Sequence, residues 1–184
     1  MMASDRYAEF LPTILDWIHG TLEAHADRKK SVASFGFPRL PRYFSEHLLF
    51  TTNVVITDRL PVPPLSAWGL PEFASFERQP MTAITYLDTY FLSPRAATDE
   101  SVHCHELIHV VQWQVLGPKD FLLLYAAGLA ERGYRKSPIE VMACGHQRRF
   151  DVDWPSYSAE AEVRRQTLAY VGNPIAFCRR IPSS

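Results

Sequence analysis

Two histidines and a glutamate lie within five consecutive residues, His105-Glu106-Leu107-Ile108-His109, which fit the HExxH pattern of metal sites. On an α-helix, residues four apart lie one turn apart on the same face, so both imidazoles can point at one cation. Glu106 lies on the flank of that face, where its carboxylate can reach a water on the cation without being a ligand. This is the chemistry of a zinc hydrolase, in which a metal-activated water attacks a carbonyl and Glu106 moves the protons.

The same five residues also have a purely structural interpretation. Two histidines spaced in this way on a buried helix can be hydrogen-bonded core residues, and a pattern with three fixed positions arises by chance in many proteins. Three features favour the metal: the apolar pair between the histidines, a strand-like segment upstream, and an acidic residue on a later helix.

The residues around the motif predict the helix that must carry it. Thr98 or Asp99 can cap its N-terminus, and Glu100 places negative charge in its first turn. Gly117-Pro118 ends it, because the glycine can take a left-handed C-cap and the proline cannot continue the helix.

Two histidines do not hold a catalytic zinc ion, so a third protein ligand is needed. The HExxHxxGxxH solution would place glycine at position 112 and histidine at position 115, but Gln112 and Val115 stand there. A carboxylate remains, and two glutamates are candidates. Glu140 lies early on a predicted helix and is favoured, whereas Glu131 lies at a helix end beside an arginine that can pair with it.

Glu140 has a competing structural interpretation. Ser137-Pro138-Ile139-Glu140 matches a capping box, in which the glutamate bonds back to the Ser137 backbone and needs no metal. Glu140→Gln separates the two, because a cap tolerates the amide and a zinc ligand does not.

The run His105–Gln112 (HELIHVVQ), followed by Tyr134 and by Pro138–Ala143 (PIEVMA), resembles the small gluzincin-type zinc metallopeptidases. It is most similar to uncharacterised metallopeptidase domains whose zinc helix reads HELxHVxQ. The resemblance covers about residues 84–144. It implies a zincin-like α+β fold, with a small sheet before the HExxH helix and a helical C-terminal half after it. It also implies the site roles: zinc ligands His105, His109 and Glu140, general acid/base Glu106, and oxyanion donor Tyr134.

Length and composition indicate one domain over residues 1–184, with a metal-site core from residue 53 and an N-terminal helical extension of unknown role over residues 1–52. The net charge of −1, without a basic stripe, argues against a nucleic-acid partner, and no apolar run approaches a membrane span. Three dispersed cysteines, Cys104, Cys144 and Cys178, are typical of a reducing compartment, so we expect a soluble cytoplasmic protein.

The remaining elements are read from periodicity. A helix is predicted from about Pro12 to Ala26, a strand over 53–57, and a Pro-rich loop over 60–72. Residues 83–92 alternate as a strand, either an edge on which an extended substrate is laid or an interior strand. Three further helices are predicted over about 118–131, 137–150 and 158–170.

Three functions compete. The first is a zinc metallopeptidase acting on a peptide or protein substrate. The second is a catalytically silent zinc-binding interaction or regulatory module, whose cleft is filled by a loop such as residues 60–72. The third is a helical domain without metal. Glu106 favours the peptidase, because a purely structural zinc site has no use for a glutamate beside an open coordination position.

Overall fold

The computed structural model describes residues 3–172 and shows an α+β protein, which confirms the α+β class predicted from the sequence. Over these residues the chain forms six α-helices and one sheet of four short strands. The helices are Ala3–Ala24 (α1), Glu46–Thr51 (α2), Ala74–Glu77 (α3), Glu100–Arg132 (α4), Pro138–Asp151 (α5) and Ala159–Gly172 (α6). The strands are Lys30–Ser31 (β1), Asn53–Ile56 (β2), Ala83–Tyr86 (β3) and Thr89–Leu92 (β4). Within residues 3–172, no helix combines the length and the apolar character needed to cross a membrane.

The strands are ordered β1-β2-β4-β3, which makes β3 an edge of the sheet. β2 runs parallel to β4, and β3 pairs antiparallel with β4. The prediction of one continuous strand over residues 83–92 is wrong, because the chain reverses at Leu87 and Asp88 to form a hairpin. Leu87 has a left-handed φ of 57°, a conformation that side chains other than glycine seldom adopt.

Helix α4 carries the HELIH motif and contacts α1, α5, α6 and β3. Asp99 caps its N-terminus, where the carboxylate accepts a hydrogen bond of 3.0 Å from the Ser101 N–H. The predicted break is present as a kink: Gly117 has φ 71° and ψ 166°, and the helix continues from Pro118. The motif therefore lies between the capped start of α4 and its kink.

Helix α5 begins close against the second part of α4. A Cβ added to Gly128 would lie 2.6 Å from the Ser137 Oγ, so a larger residue at this position would push α5 away. Ala143 on α5 is also small and fully buried. These small residues let α5 approach α4 closely, which brings Glu140 towards the motif.

Two apolar cores lie on opposite faces of the sheet. Tyr90 and Leu92 of β4 point into the first core, together with Leu107 of α4. Phe91 lies between them in sequence and points into the second core, which also holds Ile18 of α1.

Helix α1 is continuous from Ala3 to Ala24, although the sequence predicts a helix that starts near Pro12. Pro12 cannot donate a backbone hydrogen bond. The helix persists because residues on both sides of the proline are buried on the same helix face. Tyr7 and Leu11 precede the proline, and Ile14 follows it. The N-terminal segment thus forms one wall of the structure.

Candidate metal centre

Three side chains from two helices converge on one point. His105 and His109 lie one turn apart on α4, with their Nε2 atoms 3.1 Å apart. Glu140 of α5 approaches both imidazoles: Oε2 lies 3.4 Å from the His105 Nε2, and Oε1 lies 3.4 Å from the His109 Nε2. These residues, here called the His–His–Glu cluster, have donor atoms within 4.8 Å of one another and could hold a metal ion.

Hydrogen bonds on the far side of each imidazole fix its tautomer. The His109 Nδ1 lies 2.8 Å from the Gln112 Oε1, and the Gln112 amide nitrogen donates to the Ile139 carbonyl at 3.1 Å. Because a carbonyl only accepts, the amide oxygen must face His109, and the His109 Nδ1 must carry the proton. The Nε2 of His109 is therefore left with a free lone pair.

His105 is oriented in the same way. Its Nδ1 lies 3.0 Å from the Gln147 Oε1, and the Gln147 amide nitrogen donates to the Ser101 Oγ at 3.0 Å. The Ser101 hydroxyl in turn donates to the Asp151 Oδ1 at 2.5 Å. This Gln147–Ser101–Asp151 chain leaves the Nε2 of His105 as an acceptor too.

The spacing of the donor atoms fits a metal ion. Two Nε2 lone pairs facing each other at 3.1 Å repel unless a cation lies between them. Metal–ligand bonds of about 2.0–2.1 Å in a tetrahedral zinc site place ligand atoms about 3.3 Å apart. The separations within the His–His–Glu cluster, 3.1 Å and 3.4 Å, match that spacing.

The charges of the cluster also favour a bound cation. Burial opposes the ionised form of Glu140, but imidazoles that carry a second proton on Nε2 supply charge and hydrogen bonds that outweigh burial and hold the pKa of Glu140 well below its usual range. Burial likewise opposes a charged His105, yet hydrogen bonds with Cys144 and Glu140 raise its pKa well above that of an ordinary histidine. Both shifts indicate a site that stabilises positive charge among its three donors.

Glu106 lies beside the cluster and is bound to the sheet. Its Oε2 accepts a hydrogen bond of 2.6 Å from the Thr85 Oγ1 of the edge strand β3. The side chain is 5% exposed and lines the same cavity as His109 and Glu140. The carboxylate is thereby fixed on the flank of the cluster, the place that the HExxH spacing predicts for it.

Two tyrosines lie beside the cluster and line the same cavity. Tyr134 lines the cavity, and its pKa is raised first by burial and then by the negative charges of Glu140 and Glu106. The Tyr125 hydroxyl donates to the Glu140 Oε1 at 2.8 Å. Burial and the charge of Glu140 raise the pKa of Tyr125 as well, so both hydroxyls keep their protons and act as hydrogen-bond donors.

The structure separates the two candidate carboxylates. Glu131 is exposed at the end of α4, whereas Glu140 is buried against both histidines. The predicted capping box is absent: the Ser137 N–H bonds to the Tyr134 carbonyl, and the Ser137 Oγ has no partner. The Glu140 carboxylate points to the histidines and to Tyr125, so it does not bond back to the Ser137 backbone.

The remaining histidine and the cysteines near the motif are not part of the His–His–Glu cluster. His103 is fully buried between the Tyr90 hydroxyl and the Ala97 carbonyl and is not one of the grouped donors. Cys144 is a free, half-buried thiol beside His105 and is not one of the three grouped donors. Cys178 lies outside the described residues.

Sequence reasoning missed Thr85, Tyr125 and Gln147. Glu140, Cys144 and Gln147 are spaced i, i+4 and i+7, so a polar stripe on one face of α5 was a signal for Gln147. Thr85 and Tyr125 gave no such signal, because each occupies an ordinary position in an apolar strand or helix.

Replacing Gln147 by leucine tests the outer hydrogen bonds. We expect zinc affinity to fall about 10- to 100-fold, because His105 loses the acceptor that orients its ring. Gln114→Leu is the matched control, since Gln114 is exposed on the same motif-bearing helix and its amide oxygen accepts a hydrogen bond from Arg164, away from the cluster. Competition with a fluorescent zinc chelator measures both variants, and equal affinities would contradict the assigned role of Gln147.

The fold and the cluster together define an α+β protein with a buried candidate metal centre of two histidines and one glutamate. Comparison with protein-family models, with curated proteins and with solved structures finds no match. The chemistry of the centre follows from its donor atoms and their neighbours.

Proposed function

We propose that this protein is a zinc-dependent metallopeptidase with a zincin-like arrangement. The observation that carries the proposal is the Glu106 carboxylate, which lies beside the His–His–Glu cluster without joining it and is held there by Thr85. A purely structural metal site needs no such group, and a hydrolase does.

Zinc suits the donor set best. Two neutral imidazoles and one carboxylate are the ligands of catalytic zinc sites that keep one position for solvent. A zinc ion held by His105, His109 and Glu140 would acidify a coordinated water towards a pKa of about 7 and polarise a substrate carbonyl. The Tyr125 hydroxyl donates a hydrogen bond to the Glu140 Oε1, so Oε2 is the carboxylate oxygen that is freer to bind the metal.

Glu106 would carry the protons of the reaction. One of its oxygens is occupied by the Thr85 hydroxyl, and the other is left for a water molecule at the cluster. Glu106 takes a proton from that water and delivers it to the leaving amine. Tyr134, which keeps its proton because of burial and neighbouring negative charge, would donate a hydrogen bond to the developing oxyanion.

The position of β3 supports a peptide as substrate. β3 is an edge strand, and Ala83–Tyr86 line the cavity next to Glu106. An edge strand offers unpaired backbone groups to an extended chain, which can add to the sheet by backbone hydrogen bonds. A peptide laid along β3 would pass the residue, Thr85, that holds Glu106.

The direct test is cleavage of a broad peptide library by the zinc-loaded protein, analysed by mass spectrometry. We expect defined cleavage sites that disappear on treatment with a chelator and return with zinc. Zinc binding without any cleavage would refute the peptidase and leave the silent zinc-binding module.

Tyr134→Phe tests the oxyanion role. We expect kcat to fall about 100-fold with KM and zinc content little changed, because the lost hydroxyl matters mainly in the transition state. Tyr157→Phe is the matched control, since the Tyr157 hydroxyl bonds His146 in a different part of the protein. Unchanged kcat in Tyr134→Phe would remove this residue from the mechanism.

A further inference from the structure

A cavity leads from the His–His–Glu cluster into the protein, between α1, β3 and the part of α4 after Gly117; it is called the α1 cavity below. The polar groups of its lining that contact one another gather at the cluster end, namely Thr85, Glu106, His109, Glu140, Tyr125 and Tyr134. The rest of its wall is almost entirely apolar.

The tyrosines in that apolar wall do not offer their hydroxyls to the cavity. The Tyr86 hydroxyl donates to the Pro61 carbonyl at 2.7 Å. The Tyr7 hydroxyl bonds to Glu72. Beyond the cluster and the backbone of β3, a bound group would therefore meet mainly hydrocarbon surface, and burial of apolar surface would be its main source of affinity.

The lining of the α1 cavity follows helix α1 over about three turns. Its lining includes α1 from Tyr7 to Ile18, which corresponds to about 16 Å along the helix axis at 1.5 Å per residue. The cavity volume is about 100 Å³. This length of wall exceeds the reach of any single amino-acid side chain, and about 100 Å³ spread over it suits one thin, unbranched chain.

The wall chemistry distinguishes a hydrocarbon chain from a polypeptide. Each residue of a polypeptide brings an N–H and a C=O that must be hydrogen-bonded when they are buried. Along α1 the backbone groups already bond within the helix, and the facing side chains Leu11 and Ile14 carry no polar atoms. A hydrocarbon chain has no polar groups to satisfy there.

We propose that the α1 cavity binds the unbranched acyl chain of a substrate in which a long acyl group is joined by an amide to a peptide or amino acid. This deepens the proposed function and rests on it for the placement of the scissile amide at the cluster. Hydrolysis breaks the acyl C–N bond, consumes one water, and releases a carboxylate and an amine, so no further co-reactant is needed.

A series of straight-chain hydroxamic acids from two to twelve carbons tests the cavity on the full-length, zinc-loaded protein. The hydroxamate end binds at the metal, and the chain enters the cavity. By calorimetry we expect Kd to fall about fourfold per added methylene as far as about ten carbons. Leucine hydroxamate and 3-phenylpropionohydroxamate represent amino-acid side chains. An affinity that stops rising at their size would show a side-chain pocket and overturn the acyl-chain proposal.

Filling the cavity gives a second test. Ala126 lines the α1 cavity, and Ala130 lies one turn further along α4 on the protein surface. We expect Ala126→Phe to weaken decanohydroxamate at least 30-fold while leaving acetohydroxamate and zinc content unchanged, and Ala130→Phe to change none of these. Leu122→Trp, at another lining position, is the alternative should Ala126→Phe not fold. Unaltered decanohydroxamate binding in a folded filling variant would contradict the proposal.

The outcome is separable from that of the proposed function. Straight-chain alcohols from six to ten carbons need no metal in order to bind. Their affinities are therefore measured on both the zinc-loaded and the chelator-treated protein. If each methylene still strengthens binding but no amide or peptide is cleaved, the cavity assignment stands and the hydrolase fails. If binding is independent of chain length in both forms while peptides are cleaved, the hydrolase stands and the acyl-chain site fails.

Discussion

Glu106→Gln is expected to lower kcat/KM for peptide cleavage by about 10³ while leaving zinc content equal to that of the wild-type protein. Glutamine has the same shape, and its oxygen can still accept the hydrogen bond from Thr85. The amide cannot take a proton from water, however, and general acid–base catalysis typically contributes 10²- to 10⁴-fold. Zinc content is unaffected because Glu106 is not one of the grouped donors.

Glu131→Gln is the matched control for this measurement. It makes the same substitution at an exposed glutamate at the end of the helix that carries Glu106. We expect its kcat/KM to equal that of the wild type. Retention of full activity in Glu106→Gln would mean that another group moves the protons, and the proposed mechanism would be wrong.

Glu140→Gln is expected to weaken zinc binding more than about 100-fold and to abolish activity through loss of the metal. The change removes the negative charge that faces both imidazoles and leaves a neutral amide, which is a poor zinc ligand. The reduction should exceed that of outer-shell changes such as Gln147→Leu, which act only through a ligand. Metal analysis after dialysis against a zinc buffer, with competition titration, gives the affinities.

The same Glu131→Gln variant controls this experiment and also tests the other carboxylate that the sequence offered as a ligand. We expect Glu131→Gln to bind zinc like the wild type, because Glu131 is exposed at the helix end. Normal zinc affinity in Glu140→Gln combined with a loss in Glu131→Gln would reverse the assignment. Circular dichroism separates loss of metal from loss of fold.

The motif residues could be predicted from sequence because their geometry is set within one helix. His105, Glu106 and His109 need only an α-helix to take their relative positions, and capping at Asp99 and the break at Gly117 define that helix locally. The helices predicted over about 118–131, 137–150 and 158–170 also match the structure within a few residues.

Residues whose roles depend on tertiary packing could not be predicted in this way. Thr85 reaches Glu106 from a different element, and Tyr125 reaches Glu140 only because α4 bends at Gly117 and runs beside α5. The hairpin turn at Leu87 was missed since its alternating pattern continues through the turn. Nothing in the period of α1 indicates that its apolar face lines a cavity beside the cluster.

The capping box at Ser137 shows how a local signal can be overridden. The sequence matches the pattern, but Glu140 makes its contacts with His105, His109 and Tyr125 on another helix. A hydrogen bond from Tyr125 to the buried carboxylate, together with a cation shared with the two imidazoles, would outweigh one bond to a backbone N–H. Ser137 still begins α5, and its N–H is satisfied by the Tyr134 carbonyl instead.

Anomalous diffraction from crystals of the zinc-loaded protein, collected on both sides of the zinc absorption edge, tests the central claim most directly. We expect a single strong peak about 2.0–2.1 Å from the Nε2 atoms of His105 and His109 and from one oxygen of Glu140, with Glu106 nearby but not bonded to it. A map in which the two imidazoles turn apart, each bonded to ordinary protein groups and with no anomalous peak between them, would contradict the account.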